Sequence, residues 1–381
     1  MTNKNFAILT LPLHNNFGGN IQAYALANYL KSLGLNVRVI NIKKAPLSKF
    51  DLFKLNLKPF IKKYLFGRDA NFIFTDNEIE YINQKHRSFI EENMNLTEPV
   101  YSLEVLKKIV ANDSYDGVVV GSDQVWRKAY TPNIESYFLD FITDDLKIKK
   151  IAYAASFGVD HWEFDESQTK RLKELAARFD FISVREDSGV ELFKRVLGFD
   201  VKHFIDPTLL LTKSDYLQLI RSTHSSNTGK LFYYILDESD YKSKAIIDLG
   251  YKLGKSCFGL ENYKKKKSSI FINNLNEFVV PSVQDWLKSF YDADCVITDS
   301  FHGMVFSIIF NKPFFVFVNK QRGATRFYSL LRQLNLQNRI LDHGALPVDC
   351  LDLNIDYNEV NRKINSIRDE IRATLIKVIN S

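Results

Sequence analysis

Short apolar runs alternate with segments of helical spacing along most of the chain, and this alternation limits the fold more than any other feature. Residues 6–11 are apolar enough for a buried strand, residues 20–33 have helical spacing and end before Gly34, and residues 37–42 form a second strand-like run. A strand, a helix and a strand in this order make a βαβ unit, in which a helix on the face of a sheet joins parallel strands. The pattern therefore predicts an α/β protein.

Two series of such units divide the chain. The first continues with strands at 117–120, 151–155, 181–184 and 201–205 and helices at 103–110, 167–179 and 188–196. The second has strands at 231–236, 257–260, 295–298 and 314–318 and helices at 242–253, 283–291 and 325–334. Apolar residues at helical spacing predict a final packing helix at 358–379. We expect an N-terminal α/β domain at 1–207 and a C-terminal α/β domain at 208–381.

Composition excludes several classes of protein. With 381 residues and 45% hydrophobic side chains, the chain can bury two domain cores and is not of the disordered class. The net charge of +6 suits an anionic substrate or surface, but no nucleic-acid-binding motif accompanies it. The three cysteines, Cys257, Cys295 and Cys350, suit neither a metal cluster nor a disulfide framework. We expect a cytoplasmic protein, because no apolar run is long enough for an export signal or a membrane span.

Polar and small residues gather in the loops that follow the predicted strands, where open α/β sheets bind their ligands. Asn16, Gly18 and Gly19 follow the first strand, and their glycines suit either close approach to a ligand or a tight turn. Ser122, Asp123 and Trp126 follow strand 117–120; an N-cap followed by a core tryptophan is the structural alternative. Arg185 follows strand 181–184 and could bind an anion or pair with a neighbouring acid. The cationic segment 320–326 suits either an anionic ligand or a solvated surface.

His302 lies in the segment 298–303, where an apolar strand turns into a helix. Asp299 or Ser300 is a suitable N-cap for that helix, so His302 falls in its first turn. Free backbone N–H groups and the positive end of the helix dipole favour an anion such as phosphate there. Capping or packing is the other interpretation of this histidine.

Five segments together resemble the polysaccharide pyruvyltransferase family and occur in the family's order over most of the chain. They are Asn16-Phe17-Gly18-Gly19-Asn20-Ile21-Gln22, Gly121-Ser122-Asp123-Gln124-Val125-Trp126, Ser183-Val184-Arg185-Glu186, Asp206-Pro207 and Thr298-Asp299-Ser300-Phe301-His302-Gly303. The resemblance implies a GT-B-like architecture, with the active site in a cleft between two Rossmann-like domains. It also implies phosphoenolpyruvate as the donor co-substrate, no cofactor, and a sugar acceptor in a surface-polysaccharide precursor of a bacterium.

The resemblance assigns His302 to the family's catalytic histidine and Arg185 to an arginine that holds the donor. Several family members have an arginine where this chain has Ser300, so donor binding is expected to depend on other cations. The expected donor-binding residues are Arg185, Ser300, Phe301, Gly303, Lys320, Arg322 and Arg326, and the expected acceptor-binding residues are Asn16, Gly18, Gly19, Gln22, Ser122 and Trp126.

Forming a pyruvate ketal joins two hydroxyls of one sugar to C2 of the pyruvyl unit, releases phosphate and requires protonation of the vinyl C3. The reaction therefore needs a general acid and cations for the leaving phosphate. His302 is the candidate acid, and Asp123 is a candidate general base. Two other functions remain open: a GT-B glycosyltransferase that uses a nucleotide sugar, since one fold serves many chemistries, and a catalytically silent module that binds anionic glycans.

Residues 43–68 form an insertion rich in basic and aromatic side chains. Eight basic residues occur there against the single acid Asp51, and apolar residues are interleaved with them. Such a segment could rest on an anionic bilayer at the inner face of the cell membrane, and the glycan acceptor could then be lipid-linked. A basic helix packed on the first domain is the alternative.

Overall fold

The computed structural model describes residues 4–46, 48–67, 74–131, 133–223, 227–260, 275–318, 323–341 and 352–381. Its first sheet has six parallel strands in the order β2-β1-β3-β4-β5-β6. The strands are β1 (Asn5–Leu9), β2 (Asn36–Val39), β3 (Gly117–Val120), β4 (Lys149–Ala155), β5 (Phe181–Val184) and β6 (Lys202–His203).

Helices cover both faces of this sheet because both faces are apolar, as the residues of β1 illustrate. Phe6 and Ile8 belong to one apolar cluster while Ala7 and Leu9 belong to another, because alternate side chains of a strand point to opposite faces. A strand buried on both sides reads as a continuous apolar run. The helices of this half of the chain are α1 (Phe17–Ser32), α2 (Lys49–Tyr64), α3 (Asp76–Ile82), α4 (Gln84–Asn93), α5 (Leu103–Asn112), α6 (Glu166–Ala176), α7 (Asp187–Leu192) and α8 (Lys213–Leu219).

The second sheet has five parallel strands in the order β11-β10-β9-β7-β8. Its strands are β7 (Leu231–Tyr234), β8 (Cys257–Gly259), β9 (Cys295–Thr298), β10 (Phe314–Phe317) and β11 (Ile340–Leu341). The accompanying helices are α9 (Asp240–Leu253), α10 (Val283–Asp292), α11 (Phe301–Ile309), α12 (Ala324–Leu334) and α13 (Tyr357–Asn380). In the described part of the chain, none of the helices has the length and apolar character needed to cross a membrane.

Both sheets follow the same winding rule. Counted from its own first strand, each sheet has the order 2-1-3-4-5, with β6 added at the edge of the first. In such sheets the connection changes direction between strands 1 and 3, and ligands bind beyond the carboxyl ends at that point. The two changes of direction lie at β1/β3 and at β7/β9. The chain therefore has two Rossmann-like domains in a GT-B-like architecture, as the sequence predicts.

The last helix connects the second half of the chain to the first. Along α13, the Arg368 guanidinium donates to the carbonyls of Leu209 and Leu211, at 2.6 Å each. At its end, the Lys4 ammonium donates to the carbonyl of Ile379 at 2.7 Å. The predicted packing helix at 358–379 is present within one residue at each end, and it fastens the two domains together.

Three details differ from the sequence prediction. Helix α1 begins at Phe17 rather than at residue 20, because the Asn16 side chain accepts a hydrogen bond from the Gly19 amide at 3.2 Å and caps the helix. The helix predicted at 188–196 ends as a π-helical turn, Phe193–Leu197. The short elements α3, α4, α8 and β11 were not predicted, because segments this short carry little periodic signal.

Candidate active site between the domains

Loops at the carboxyl ends of both sheets meet and bury a cluster of charged side chains. Asp123 follows β3, Arg185 follows β5 and Asp206 follows β6, while His302 and Arg326 come from the second domain. All five are at least nine-tenths buried. Buried charges are stable only when they are paired or bind a ligand, so this cluster marks the candidate site.

His302 occupies the second position of α11. The helix begins at Phe301, and the Ser300 hydroxyl caps it by accepting a hydrogen bond from the Gly303 amide at 3.2 Å. The imidazole Nε2 lies 3.5 Å from an Asp206 carboxylate oxygen and makes no hydrogen bond to the described residues. An imidazole that lies beside a carboxylate and makes no hydrogen bond through Nε2 can exchange a proton with a bound molecule.

Gly18 in the first turn of α1 gives this imidazole its space. A β-carbon added to Gly18 would lie 2.1 Å from Nδ1 of His302. The first turns of α1 and α11, one from each domain, therefore approach each other with the histidine ring between them. Gly18 was predicted to bind the acceptor, which stays a prediction; its position shows that the absence of a side chain there leaves room for His302.

Asp206 links the histidine to Arg185. One carboxylate oxygen accepts hydrogen bonds from the Thr208 amide at 3.0 Å and the Thr208 hydroxyl at 2.7 Å, and the other accepts from the Arg185 guanidinium at 2.7 Å. Burial alone would raise the pKa of Asp206, but His302, Arg185 and Thr208 outweigh it and hold that pKa well below its usual range. Asp206 is therefore ionised and orients its neighbours.

Two arginines enclose Asp123 and Phe301. The Asp123 carboxylate lies 3.4 Å from the Arg185 guanidinium and 3.8 Å from that of Arg326. The two guanidinium carbons lie 5.0 and 5.1 Å from the centre of the Phe301 ring. Phe301, predicted to touch the donor, thus supports the arginines that would hold it.

The pKa values of Arg326 and Asp123 indicate that the cluster favours binding of an anion. Burial and the positive charge of Arg185 lower the pKa of Arg326 to about 10, although Asp123, Glu186 and Asp206 act in the opposite direction. Burial of the Asp123 carboxyl would raise its pKa, but Arg185, His302 and Arg326 hold it low. A carboxylate held ionised in this way has little affinity for a proton, which argues against Asp123 as the general base.

Backbone donors add to these cations. The first amides of a helix have no intrahelical acceptor, so those of Phe301 and His302 are available beside Arg185 and Arg326. The Arg185 Nε is also buried without a partner among the described residues. Helix amides and guanidinium groups together suit a phosphate or carboxylate.

Several predicted site residues have structural positions. Trp126 was predicted to offer its ring to an acceptor, and this was wrong: it is fully buried, stacks on Phe138 with ring centres 4.8 Å apart, and donates its indole N–H to the Tyr137 carbonyl at 2.9 Å. Gln22 donates to the Thr10 hydroxyl at 2.9 Å and to the Gly19 carbonyl at 3.1 Å. These bonds fix the loop after β1, while the Gln22 Oε1 is buried with no hydrogen bond to the described residues, so acceptor binding by Gln22 stays a prediction.

The remaining predictions divide into three groups. Asn16, Gly19, Ser300 and Gly303 form the capped first turns of the two facing helices. The Ser122 hydroxyl is buried with no partner among the described residues, so it can still bind a ligand. Lys320 and Arg322 lie outside the described residues.

Sequence reasoning missed the contribution of two acids. Asp206, which the sequence analysis named only within the Asp206-Pro207 segment and without a role, is the residue between Arg185 and His302. Glu186 accepts hydrogen bonds from the amides of Phe157 and Gly158, at 2.8 and 3.0 Å, and so holds the loop after β4 against the site. The available signal was an acid within three residues of the end of each of strands β5 and β6.

Several solved structures are similar to this chain at low sequence identity. Medicago truncatula UGT71G1, complexed with UDP-glucose, is 12% identical with a TM-score of 0.49, and 99% of each chain is covered. A UDP-GlcNAc 2-epimerase from Methanocaldococcus jannaschii is 12% identical with a TM-score of 0.48, covering 97% of this chain and 94% of the other. A glycosyltransferase from Rickettsia africae is 10% identical with a TM-score of 0.47, covering 99% and 93%. The order of strands in the two sheets establishes the two-domain fold independently of these structures.

Comparison of sequences gives a more specific result. No curated protein matches the chain. The profile of one family, described as polysaccharide pyruvyl transferase, matches residues 16–321. The matched region includes Asn16 at the cap of α1 and His302 in α11, the two helix starts that meet at the buried site.

Proposed function

Because the chain belongs to the polysaccharide pyruvyl transferase family, we propose that it transfers the pyruvyl group of phosphoenolpyruvate to two hydroxyls of a sugar in a surface-polysaccharide precursor. The products are a pyruvate ketal and phosphate. The observation that carries this proposal is the buried His302 imidazole, 3.5 Å from Asp206 and beside two buried arginines, since the reaction needs an acid and an anion site together.

In the proposed reaction His302 gives a proton to C3 of the donor. C2 then becomes oxocarbenium-like, and the first sugar oxygen bonds to it and gives its proton to the now neutral imidazole. The bond from C2 to the phosphate oxygen breaks next, and the second sugar oxygen takes the vacated position while its proton leaves with the phosphate. One histidine can thus act first as acid and then as base, which leaves Asp123 to position the arginines.

Arg185, Arg326 and the first amides of α11 are proposed to bind the donor's phosphate and carboxylate. Arg185 is already oriented by Asp206 at 2.7 Å, so little side-chain freedom is lost when the donor binds. Ser300 provides the helix cap, and the charge that an arginine gives at this position in other family members is supplied by Arg326 from α12. The acceptor is proposed to approach from the first domain, past the loops carrying Asn16 and Ser122.

Donor choice is the test. Purified protein is incubated with a panel of glycan acceptors and either phosphoenolpyruvate or nucleotide sugars, and released phosphate and nucleotide are measured. We expect acceptor-dependent phosphate release from phosphoenolpyruvate and no nucleotide release. Nucleotide release with an acceptor would indicate a glycosyltransferase instead, and acceptor binding without turnover of either donor would indicate a glycan-binding module.

A further inference from the structure

Helix α2 presents a broad apolar face away from the protein. Phe50, Phe53, Leu57, Phe60 and Tyr64 follow the 3- and 4-residue spacing that puts side chains on one side of a helix, and all five are exposed. Phe50 and Phe53 are each 64% exposed, although an amphipathic helix of a globular protein normally turns such residues toward the core. Leu65 and Phe66, directly after the helix, are also exposed.

A different and narrower side of α2 is half-buried. Leu52, Asn56 and Pro59 are its half-buried residues, and they share a face by the same spacing. With about 100° between successive residues, that face lies roughly 120° from the apolar one. The apolar face is therefore not available to the core of its own domain.

The third side of α2 is basic. Lys54, Lys58 and Lys62 recur every fourth residue, and all three are exposed. The segment 43–68 contains 8 of the 51 Lys and Arg residues and 1 of the 45 Asp and Glu residues. Subtracting these leaves 43 basic against 44 acidic residues, so the whole net charge of +6 comes from this segment.

We infer that α2 is a docking helix for an anionic lipid bilayer. The aromatic and aliphatic side chains of α2 suit the acyl chains of such a bilayer. The adjacent row of lysines suits its anionic headgroups. A second copy of the chain would present the same concentrated positive charge and be repelled, so charge complementarity selects the bilayer.

The position of α2 connects docking to the active site. The helix follows the carboxyl end of β2, at the sheet edge from which the Asn16 and Asp123 loops also leave. A bilayer bound to α2 therefore adjoins the edge that carries the cleft. Resting on the proposed function, this placement assigns a lipid-linked glycan as the acceptor.

Vesicle sedimentation tests the inference with full-length protein and no substrates. We expect binding to mixed phosphatidylglycerol and phosphatidylcholine vesicles, little binding to phosphatidylcholine alone, and weakening from about 0.1 to about 1 M salt, where screening shortens from roughly 10 to 3 Å. The variant K54Q/K58Q/K62Q should bind at least about tenfold more weakly. The matched control K85Q/K170Q/K244Q, which changes three exposed lysines elsewhere, should bind like wild type.

A second pair of variants tests the apolar face. Phe50→Ser with Phe53→Ser should reduce vesicle binding, whereas Ile247→Ser with Tyr251→Ser, at exposed positions of α9, should not. Equal binding by wild type and F50S/F53S would overturn the inference. So would a wild-type dimer that F50S/F53S converts to a monomer, since the face would then be a subunit interface.

Activity separates this inference from the proposed function. F50S/F53S should keep wild-type turnover of phosphoenolpyruvate with a water-soluble acceptor and lose turnover with a vesicle-embedded one. Vesicle binding without turnover of phosphoenolpyruvate would leave the docking helix intact and remove the proposed function. Loss of turnover with the water-soluble acceptor would overturn the docking role, because α2 would then act within the site.

Discussion

His302 is held from both domains. Gly18 of the first domain packs against Nδ1, while Asp206, also of the first domain, faces Nε2, and the helix that carries the histidine belongs to the second. Asp206 in turn is fixed by Thr208 and Arg185. The histidine therefore has one orientation, which general acid catalysis requires. Its place at the start of a helix could be predicted from the sequence pattern, and the family resemblance made it the candidate acid. The role of Asp206 could not be predicted, because its partners come together only in the folded chain.

Replacing His302 by Ala should abolish pyruvyl transfer, with kcat reduced by at least about 100-fold, the usual contribution of a positioned acid. Steady-state phosphate release measures the effect. His161→Ala is the control, since that imidazole is 67% exposed and contacts Asp160 rather than the site residues. Turnover near the wild-type level in His302→Ala would exclude this residue as the acid.

Replacing Arg326 by Gln should raise KM for phosphoenolpyruvate more than it lowers kcat. The guanidinium stacks on Phe301 and supplies charge that Ser300 does not, so its loss removes donor binding in the ground state. A loss of about tenfold in kcat/KM corresponds to about 1.4 kcal/mol. Arg332→Gln, an exposed position on the same helix, is the control. Unchanged KM for the donor in Arg326→Gln would contradict its assignment.

The site is made where secondary-structure elements end. The parallel strands of each sheet end at one edge, and the helices that follow β1 and β9 begin with Asn16 and Ser300 as caps. Strand β9 could be predicted because its four residues are apolar or small, and all four are buried in the structure. The cap of α11 could be predicted because Ser300 precedes an apolar helix. Trp126 could not be placed correctly, because an aromatic residue after a strand end suits a core as well as a cleft.

Substituting Gly18 by Ala tests the approach of α1 to α11. The new β-carbon would overlap His302 Nδ1 at 2.1 Å, so the histidine must move and activity should be lost. The stability cost should be about 1–3 kcal/mol, as for other overpacked positions. Gly19→Ala is the control, because its β-carbon would meet only the Asn16 side chain at 3.2 Å. Chemical unfolding and turnover are measured together; wild-type activity in Gly18→Ala would contradict the contact.

The whole molecule is organised around charge. The protein buries a set of paired charges between its two domains. Its net positive charge is concentrated in the segment containing α2. The two-domain arrangement and the parallel sheets could be predicted from alternating periodicity alone. The exposure of the α2 apolar face could not, because a sequence pattern gives the faces of a helix but not which face turns toward the protein.

Stability should depend on pH through the buried acids. The folded state lowers the pKa values of Asp123 and Asp206 below the ordinary value of 3.8, so the unfolded chain binds more protons in acid. The contribution of these carboxylates to the free energy of unfolding should therefore be complete above about pH 5 and decrease as the pH falls through 4. Urea unfolding at a series of pH values measures this.

Asp206→Asn should flatten that acid dependence while lowering stability at neutral pH by about 3–5 kcal/mol, because Arg185 loses its closest partner. Asp200→Asn, at a side chain 91% exposed, should retain the wild-type slope. The same slope in wild type and Asp206→Asn would show that this carboxylate is not held ionised by the fold.

Mass spectrometry of a glycan acceptor after incubation with phosphoenolpyruvate in deuterated water tests the central claim most directly. Wild-type protein should add the mass of a pyruvyl ketal with solvent deuterium in its methyl group, because C3 takes its proton from an exchangeable acid, and His302→Ala should add none. An acceptor that gains a glycosyl mass from a nucleotide sugar, and never a pyruvyl mass from phosphoenolpyruvate, would contradict the account.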